Sequence, residues 1–436
     1  MFEFRRLFRP GLSRQRRGLT GEDSTLLELL DVRLLAAEAQ SADITANRTV
    51  EAGRAGAQLR QAAAWRELSW RTGDGLALRK AATAAERALQ SAPAHPHAAK
   101  LEQALCALQG VAMFGDEGLT AAADLALTEA AAGPARVRAV ALGKRCAIAA
   151  RQALSRGDAM GALAALTGFD AATNILKTQA NAPASRLALA EARCDRAVLT
   201  VACGQALKSD SLVARGAADL AEVISMIDPA YHPLSWSRAT IERGLALMRL
   251  GELKRDVAVL GEAVDGLSRV FDILLKDHSP VDWAMAQAAH GAVLWALARA
   301  SSVRDAYVKA AGAYDRAWIV VREHPALKAR TSICERRGAL AVWTAVTHGD
   351  PLELAAVEAG FRCDLAAADP HRDPVGWALS QLNLGRVYLA RSEIGPANPA
   401  DRKRAAMAIL EAQTVFSDFQ LEAVAETAGR MLRAEP

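Results

Sequence analysis

Aromatic side chains make up only 5% of this 436-residue chain, and β-branched residues are sparse beside abundant alanine. A sheet needs such side chains to cover its pleated faces, so the composition points away from strands and toward an all-α protein. The six cysteines, at 106, 146, 194, 203, 334 and 363, include no CxxC pair and no cluster. That excludes the common zinc and dithiol motifs and reads as buried reduced thiols in a cytosolic protein, with Cys146, Cys194 and Cys334 on inward helix faces as small hydrophobes. No run reaches 18 uninterrupted apolar residues, so no membrane-crossing helix is expected. The formal charge is +4, but six arginines against Glu3 in the first 17 residues supply +5 of it, which leaves the other 419 residues near −1. A basic body able to track nucleic acid is therefore lacking.

Catalytic signatures are lacking too. There is no GxGxxG following a strand, no GxxxxGK[ST], no HExxH, no GxSxG and no EF-hand loop. Histidines at 232, 278, 324 and 371 recur at intervals of 46, 46 and 47 residues, in segments that read as loops. Stacked repeats hold such residues a repeat width apart, too far to share a metal, and loop capping is their expected role. The expectation is a chain with no cofactor, no metal and no catalysis.

What the sequence does contain is a ladder. Gly244, Gly291, Gly338 and Gly385 follow one another at 47 residues, and the same interval extended backward meets Ala197, Ala150, Gln103 and Gly56. Self-similarity at such a period marks a repeat array, in which one supersecondary unit stacks on copies of itself. Pairs of helices follow from the breakers. A helices are expected near 44–71, 97–113, 134–156, 184–207, 234–250, 281–299, 326–348 and 373–392. B helices are expected near 76–91, 117–132, 158–178, 211–227, 253–276, 303–323, 350–368 and 401–417. Glycines such as Gly73, Gly115, Gly157, Gly251 and Gly349 separate the members of a pair, and prolines separate one pair from the next. The small rung residue is where an A helix crosses its own B helix closely. Eight residues before three rungs stand Trp236, Trp283 and Trp377, with Arg330 at the fourth site, placed to fill the seam between repeats. On the B helices the interval relates Leu220, Leu267, Tyr314 and Phe361, and Ile224, Phe271, Trp318 and Leu365, an i, i+4 pair facing the core.

These residues resemble tetratricopeptide-type repeats. Leu384-Gly385-Arg386-Val387-Tyr388-Leu389 matches the LGxxY core of that motif's first helix, and Trp377 to Gly385 looks like the start of the long-helix variant common in bacteria. Asp282-Trp283-Ala284 to Gly291 and Ser235-Trp236 to Gly244 repeat it more loosely, and Ala310, Tyr314 and Ala317 keep the spacing of the second helix. The resemblance implies a right-handed α-α superhelix of about eight helix pairs. On that reading 1–22 is a basic leader, 23–43 an N-terminal capping helix that Asp23 or Ser24 can cap, 44–417 the solenoid and 418–436 a C-terminal capping helix.

The resemblance also implies where a partner would sit, on A-helix positions lining a concave groove. Carried onto this chain, those positions are Arg238, Ile241, Met248, Arg249, Trp295, Trp343, Leu382 and Arg386, with Arg60, Lys100, Lys144 and Arg151 in the N-terminal half. An apolar groove rimmed by arginine suits an amphipathic or acidic peptide or helix. The expected function is a non-catalytic protein-interaction adaptor in the cytoplasm, binding a protein or peptide and no nucleic acid. A second reading tethers it at the inner face of an anionic membrane through Phe2, Phe4, Arg5, Arg6, Phe8 and Arg9, whose aromatics and arginines suit headgroups. A third gives it an internal pocket as an enzyme or sensor. Partner, pathway and oligomeric state are left open.

Overall fold

The computed structural model describes residues 24–301, 303–395 and 398–433. Among the described residues there is no strand, and the fold is an all-α solenoid. A short 3-10 helix, Ser24–Leu29, leads into α1 (Val32–Arg48), which is capped by Asp31 accepting from Leu34 N at 2.8 Å. Pairs follow: α2 (Glu51–Thr72) with α3 (Gly75–Ser91), α4 (His97–Phe114) with α5 (Leu119–Ala130), and α6 (Ala135–Ser155) with α7 (Ala159–Leu166) and α8 (Phe169–Thr178). Next come α9 (Pro183–Ala206) with α10 (Asp210–Met226), and α11 (Pro233–Lys254) with α12 (Val257–Ser268) and a 3-10 turn at Arg269–Asp272. The chain ends with α13 (Pro280–Ser301) and α14 (Arg304–Val321), α15 (Lys328–His348) and α16 (Pro351–Ala367), α17 (Pro374–Ile394) and α18 (Pro399–Asp418), and α19 (Glu422–Arg433).

Turns inside the pairs share a local code. A residue in the left-handed region closes the A helix, as at Gly73, Gly157 and Gly349, with Lys208 and Arg255 taking the same conformation at φ 53° and 54°. The next residue, Asp74, Asp158, Ser209, Asp256 or Asp350, then accepts a hydrogen bond from the first turn of the following helix. Each such cap is worth about 1 kcal/mol and sets the turn by contacts only a few residues long.

The chain forms two compact units, one ending at Trp283 and the other beginning at Ala284. In the first, the helices from α1 to α7 and from α8 to α12 pack each on its successor, and the A helices also touch one another, α2 on α4, α4 on α6, α6 on α9 and α9 on α11. In the second, α15 touches α17 in the same way, around a core that includes Leu379, Leu382, Val387, Ile409 and Phe416.

Several expected boundaries move for identifiable reasons. The helix expected at 23–43 is two elements, because Asp31 caps a fresh helix that runs to Arg48. Gly251 does not break α11, which continues to Lys254; its missing Cβ lies 2.7 Å from Leu260 Cγ, so it is a packing site. The B helix expected at 158–178 is interrupted at Thr167-Gly168, where a Cβ on Gly168 would meet Cys146 Sγ at 2.5 Å. Among the described residues, that stretch, Ala159–Thr178, is the one that length and composition would allow to cross a membrane, and here it packs as two short helices against α6 and α9.

The rungs divide. Cβ atoms added at Gly244, Gly291 and Gly385 would meet Leu267 at 2.7 Å, Tyr314 at 3.0 Å and Ile409 at 2.5 Å, each on the paired B helix. Gly338 instead opposes Asn383 of the following A helix, where a Cβ would overlap the amide, and Gly56 is exposed. Close approach is needed at all four C-terminal rungs, but not always against the same neighbour.

Candidate functional site on the A-helix face of the first unit

The 3-10 helix at the start of the described chain lies on the A-helix face, touching α2, α9 and α11. Three groups hold it. The N-terminus of α11 exposes amide donors that its own N-cap residue, His232, does not satisfy with a side chain. Glu28, 7% exposed, supplies the missing acceptor: Leu234 N and Ser235 N donate to Oε2 at 2.9 Å each, and Ser235 Oγ donates to Oε1 at 2.6 Å. A carboxylate at a helix N-terminus satisfies orphan donors and meets the positive end of the helix dipole. Glu28 thus caps a helix that begins more than 200 residues later in the chain.

The carbonyls of the same segment are gripped from two other sides. Arg71, fully buried near the end of α2, donates to Leu30 O at 2.5 Å and Leu27 O at 2.6 Å while its Nε donates to Glu67 at 2.8 Å. His278 donates from Nε2 to Glu28 O at 2.7 Å. Burial first, and then the nearby Arg71 charge, push the His278 imidazole below its ordinary range, so it serves as a neutral donor.

Beside this grip stands an ion-pair cluster. Arg238 donates to both oxygens of Asp282, at 2.9 and 2.7 Å, and its guanidinium lies 5.1 Å from the centre of the Trp70 ring. Trp70 Nε1 and Ser279 Oγ also donate to Asp282, at 3.2 and 2.7 Å. Burial opposes the charge on Asp282, but Arg238 and these hydrogen bonds outweigh it and hold the carboxyl below the usual carboxylate range. Glu67 is held low in the same way by Arg71 and Arg238 against its own burial. Bidentate charge-assisted bonds of this kind are the strong ones, and removal of one partner would leave a buried charge.

Further along the face the charges are less enclosed. Arg66 pairs with Glu102 at 2.5 Å, joining α2 to α4, and Lys144 pairs with Asp195 at 2.6 Å, joining α6 to α9. Glu242 on α11 is half-buried. Burial, and then the charge of Asp195, raise its carboxyl to about 7, with Arg151 pulling the other way.

The expected groove residues are distributed unevenly. Arg238 is on this face, as the clamp of Asp282. Ile241 and Met248 are on the same helix but buried, at 7% and 2% exposure, and Leu382 is fully buried in the second unit. These three are core residues, a correction with a plain cause: α11 packs on α10 and α12 as well as on α9, and α17 on α16 and α18 as well as on α15, so little of either helix stays open. Arg386 is likewise enclosed, donating to Glu335 O at 3.0 Å and Asn383 Oδ1 at 2.8 Å and pairing with the Glu335 carboxylate. Arg249 is half-buried beside Glu252. Trp295 and Trp343 form an aromatic cluster with Tyr307 in the second unit, with ring centroids 6.5 Å and 4.5 Å from Trp343, and Arg299 lies 5.6 Å from the Trp295 ring centre. Phe2, Phe4, Arg5, Arg6, Phe8 and Arg9 lie outside the described residues.

Nothing in the sequence alone marks Glu28, Arg71, Ser235, His278 or Asp282 for this role. Glu28 looks like an ordinary acidic residue in a leucine stripe, and no local signal couples it to residue 234. Only the recurring loop position of His278 hints at a contact there.

Fold and site together define a helical repeat protein of the α-solenoid class. No protein-family model matches the chain, and no curated protein matches it. Among solved structures it is similar to a circular tandem repeat protein with novel repeat topology and enhanced subunit contact surfaces, at 13% identity over 92% of this chain and 88% of that one, with a TM-score of 0.25.

Proposed function

We propose that the chain is a non-catalytic interaction scaffold, in which the A-helix face of the first unit holds a protein or peptide partner in the cytoplasm. The finer assignment, to a tetratricopeptide-type array with a period near 47 residues, belongs to the same proposal. The observation that carries it is the row of half-buried charged side chains on consecutive A helices: Arg66, Glu102, Lys144, Asp195, Glu242 and Arg249. Rigid helices set these groups in a fixed order, and ordered charges on a firm surface give register and orientation to an extended partner. Alanine-rich packing beneath them, with Ala104, Ala139, Ala147, Ala197 and Ala246 almost fully buried, keeps the surface from yielding.

Site-specific photo-crosslinking in cells tests the reading. Crosslinkers at Glu191 and Arg249 on this face should trap the same partner, whereas crosslinkers at exposed Leu125 and Leu352 should not. Adducts from the outer positions alone, or turnover of a substrate by the purified chain, would overturn it.

A further inference from the structure

We propose that the cleft holding residues 24–30 is an exchangeable acceptor for an acidic, leucine-flanked peptide segment of another protein, and that the chain's own segment is its resident competitor. The inference rests on the scaffold reading and names the partner's chemistry. Three features are built for a peptide rather than for this sequence alone. Two donors grip main-chain carbonyls, Arg71 those of Leu27 and Leu30 and His278 that of Glu28, and backbone is common to every peptide. One carboxylate is read by the N-terminus of α11 through Leu234 N, Ser235 N and Ser235 Oγ, which specifies Glu or Asp at that position. The flanking Leu26, Leu27, Leu29 and Leu30 are half-buried, with Leu27 and Leu30 packed against the core around Leu35, Trp65 and Leu68, so an incoming segment must bring leucines to the same places. A resident segment tethered to its site acts at an effective concentration in the millimolar range, so an incoming segment must bind well or find the resident weakened.

Glu28→Gln in the full-length chain weakens the resident while leaving the acceptor intact. A fluorescent peptide of residues 24–31 should bind the E28Q chain saturably and at least tenfold more tightly than the wild-type chain. The same peptide carrying Gln in place of its Glu should lose at least tenfold. Should E28Q fail to fold, Ser235→Ala removes one donor from the acceptor instead; amides of 24–31 should then exchange faster than in wild type, and unchanged exchange counts against the proposal. Absence of saturable peptide binding to folded E28Q, or equal binding of the two peptides, overturns it. Concentration-dependent dimerisation of the wild-type chain that E28Q abolishes would also overturn it, by making a second copy the occupant. If the peptide fails while crosslinks from Glu191 and Arg249 still trap a partner, the scaffold reading stands and only this assignment falls.

Discussion

Arg238 clamps Asp282 across 44 residues in the first unit, and Arg330 clamps Asp373 across 43 in the second, at 3.0 and 2.5 Å. In both, an arginine near the start of one A helix reaches a carboxylate at the start of the next. Asp373 has a purely local second task, accepting from Gly376 N at 2.9 Å as the cap of α17. Asp282 is also bonded by Trp70, 212 residues earlier in the chain. The second unit is thus held by contacts between neighbours in sequence, as expected of a one-dimensional array, whereas the first adds bonds that skip several pairs. A linear solenoid can fray from either end. The first unit has its own start fastened to its later helices through Glu28, Arg71 and His278, so these bonds must be released before its first helices can fray.

The sharpest way to break that difference is Arg71→Met. It leaves the carbonyls of Leu27 and Leu30 and the Glu67 carboxylate without their buried donor, and should cost about 3–5 kcal/mol. Hydrogen exchange should show lost protection at 24–31 and around 234–238, with 374–416 unchanged; equal loss in both units would refute the contrast. Next in size is Gly385→Ala, whose new Cβ would sit 2.5 Å from Ile409 Cγ1 and should destabilise the second unit by about 1–3 kcal/mol in denaturant unfolding. Gly244→Ala should do the same in the first unit against Leu267.

A smaller effect is expected at Glu242, whose carboxyl is raised to about 7. A raised acid binds its proton more tightly folded than unfolded, so its contribution is fully present below the unfolded value near 4.5 and is lost as pH rises through 7. Glu242→Gln should therefore stabilise the chain above pH 7, by about 1 kcal/mol after solvent screening, with the gain vanishing toward pH 4.5. Melting temperatures at pH 5 and pH 8 check this; a constant difference between the two would count against it. The smallest change is Gly360→Ala on α16, where a Cβ meets nothing within 4 Å. Removing a helix-interior glycine there should stabilise by about 0.5–1 kcal/mol, the opposite sign to Gly385→Ala.

Much of the helix framework is legible residue by residue. The breaks at Gly73, Gly157 and Gly349, each followed by Asp, and the close crossings at Gly244, Gly291 and Gly385 depend on contacts within a turn or within one helix pair. Their physical causes, an accessible left-handed φ and a missing Cβ, are written in the residue itself. Gly338 shows where that stops. Its identity requires a close neighbour, but whether the neighbour is the paired B helix or Asn383 of the next A helix depends on how the pairs lean on one another. The expected groove met the same limit: Ile241, Met248 and Leu382 share periodic positions with exposed residues, and only the packing of the neighbouring helices buries them.

By itself the sequence determined the helical class, the pairing of helices, most of their ends and the small residues at their crossings, because each follows from interactions spanning a few residues or one hairpin. The tertiary structure alone decided that Glu28 caps α11, that Arg71 is wholly buried and that Asp282 serves two distant partners. A carboxylate, a guanidinium and a free helix N-terminus carry no address for one another in a sequence. Their pairing follows from the packing of the first unit, in which the 3-10 helix touches α2, α9 and α11 together and residues 28 and 234 meet.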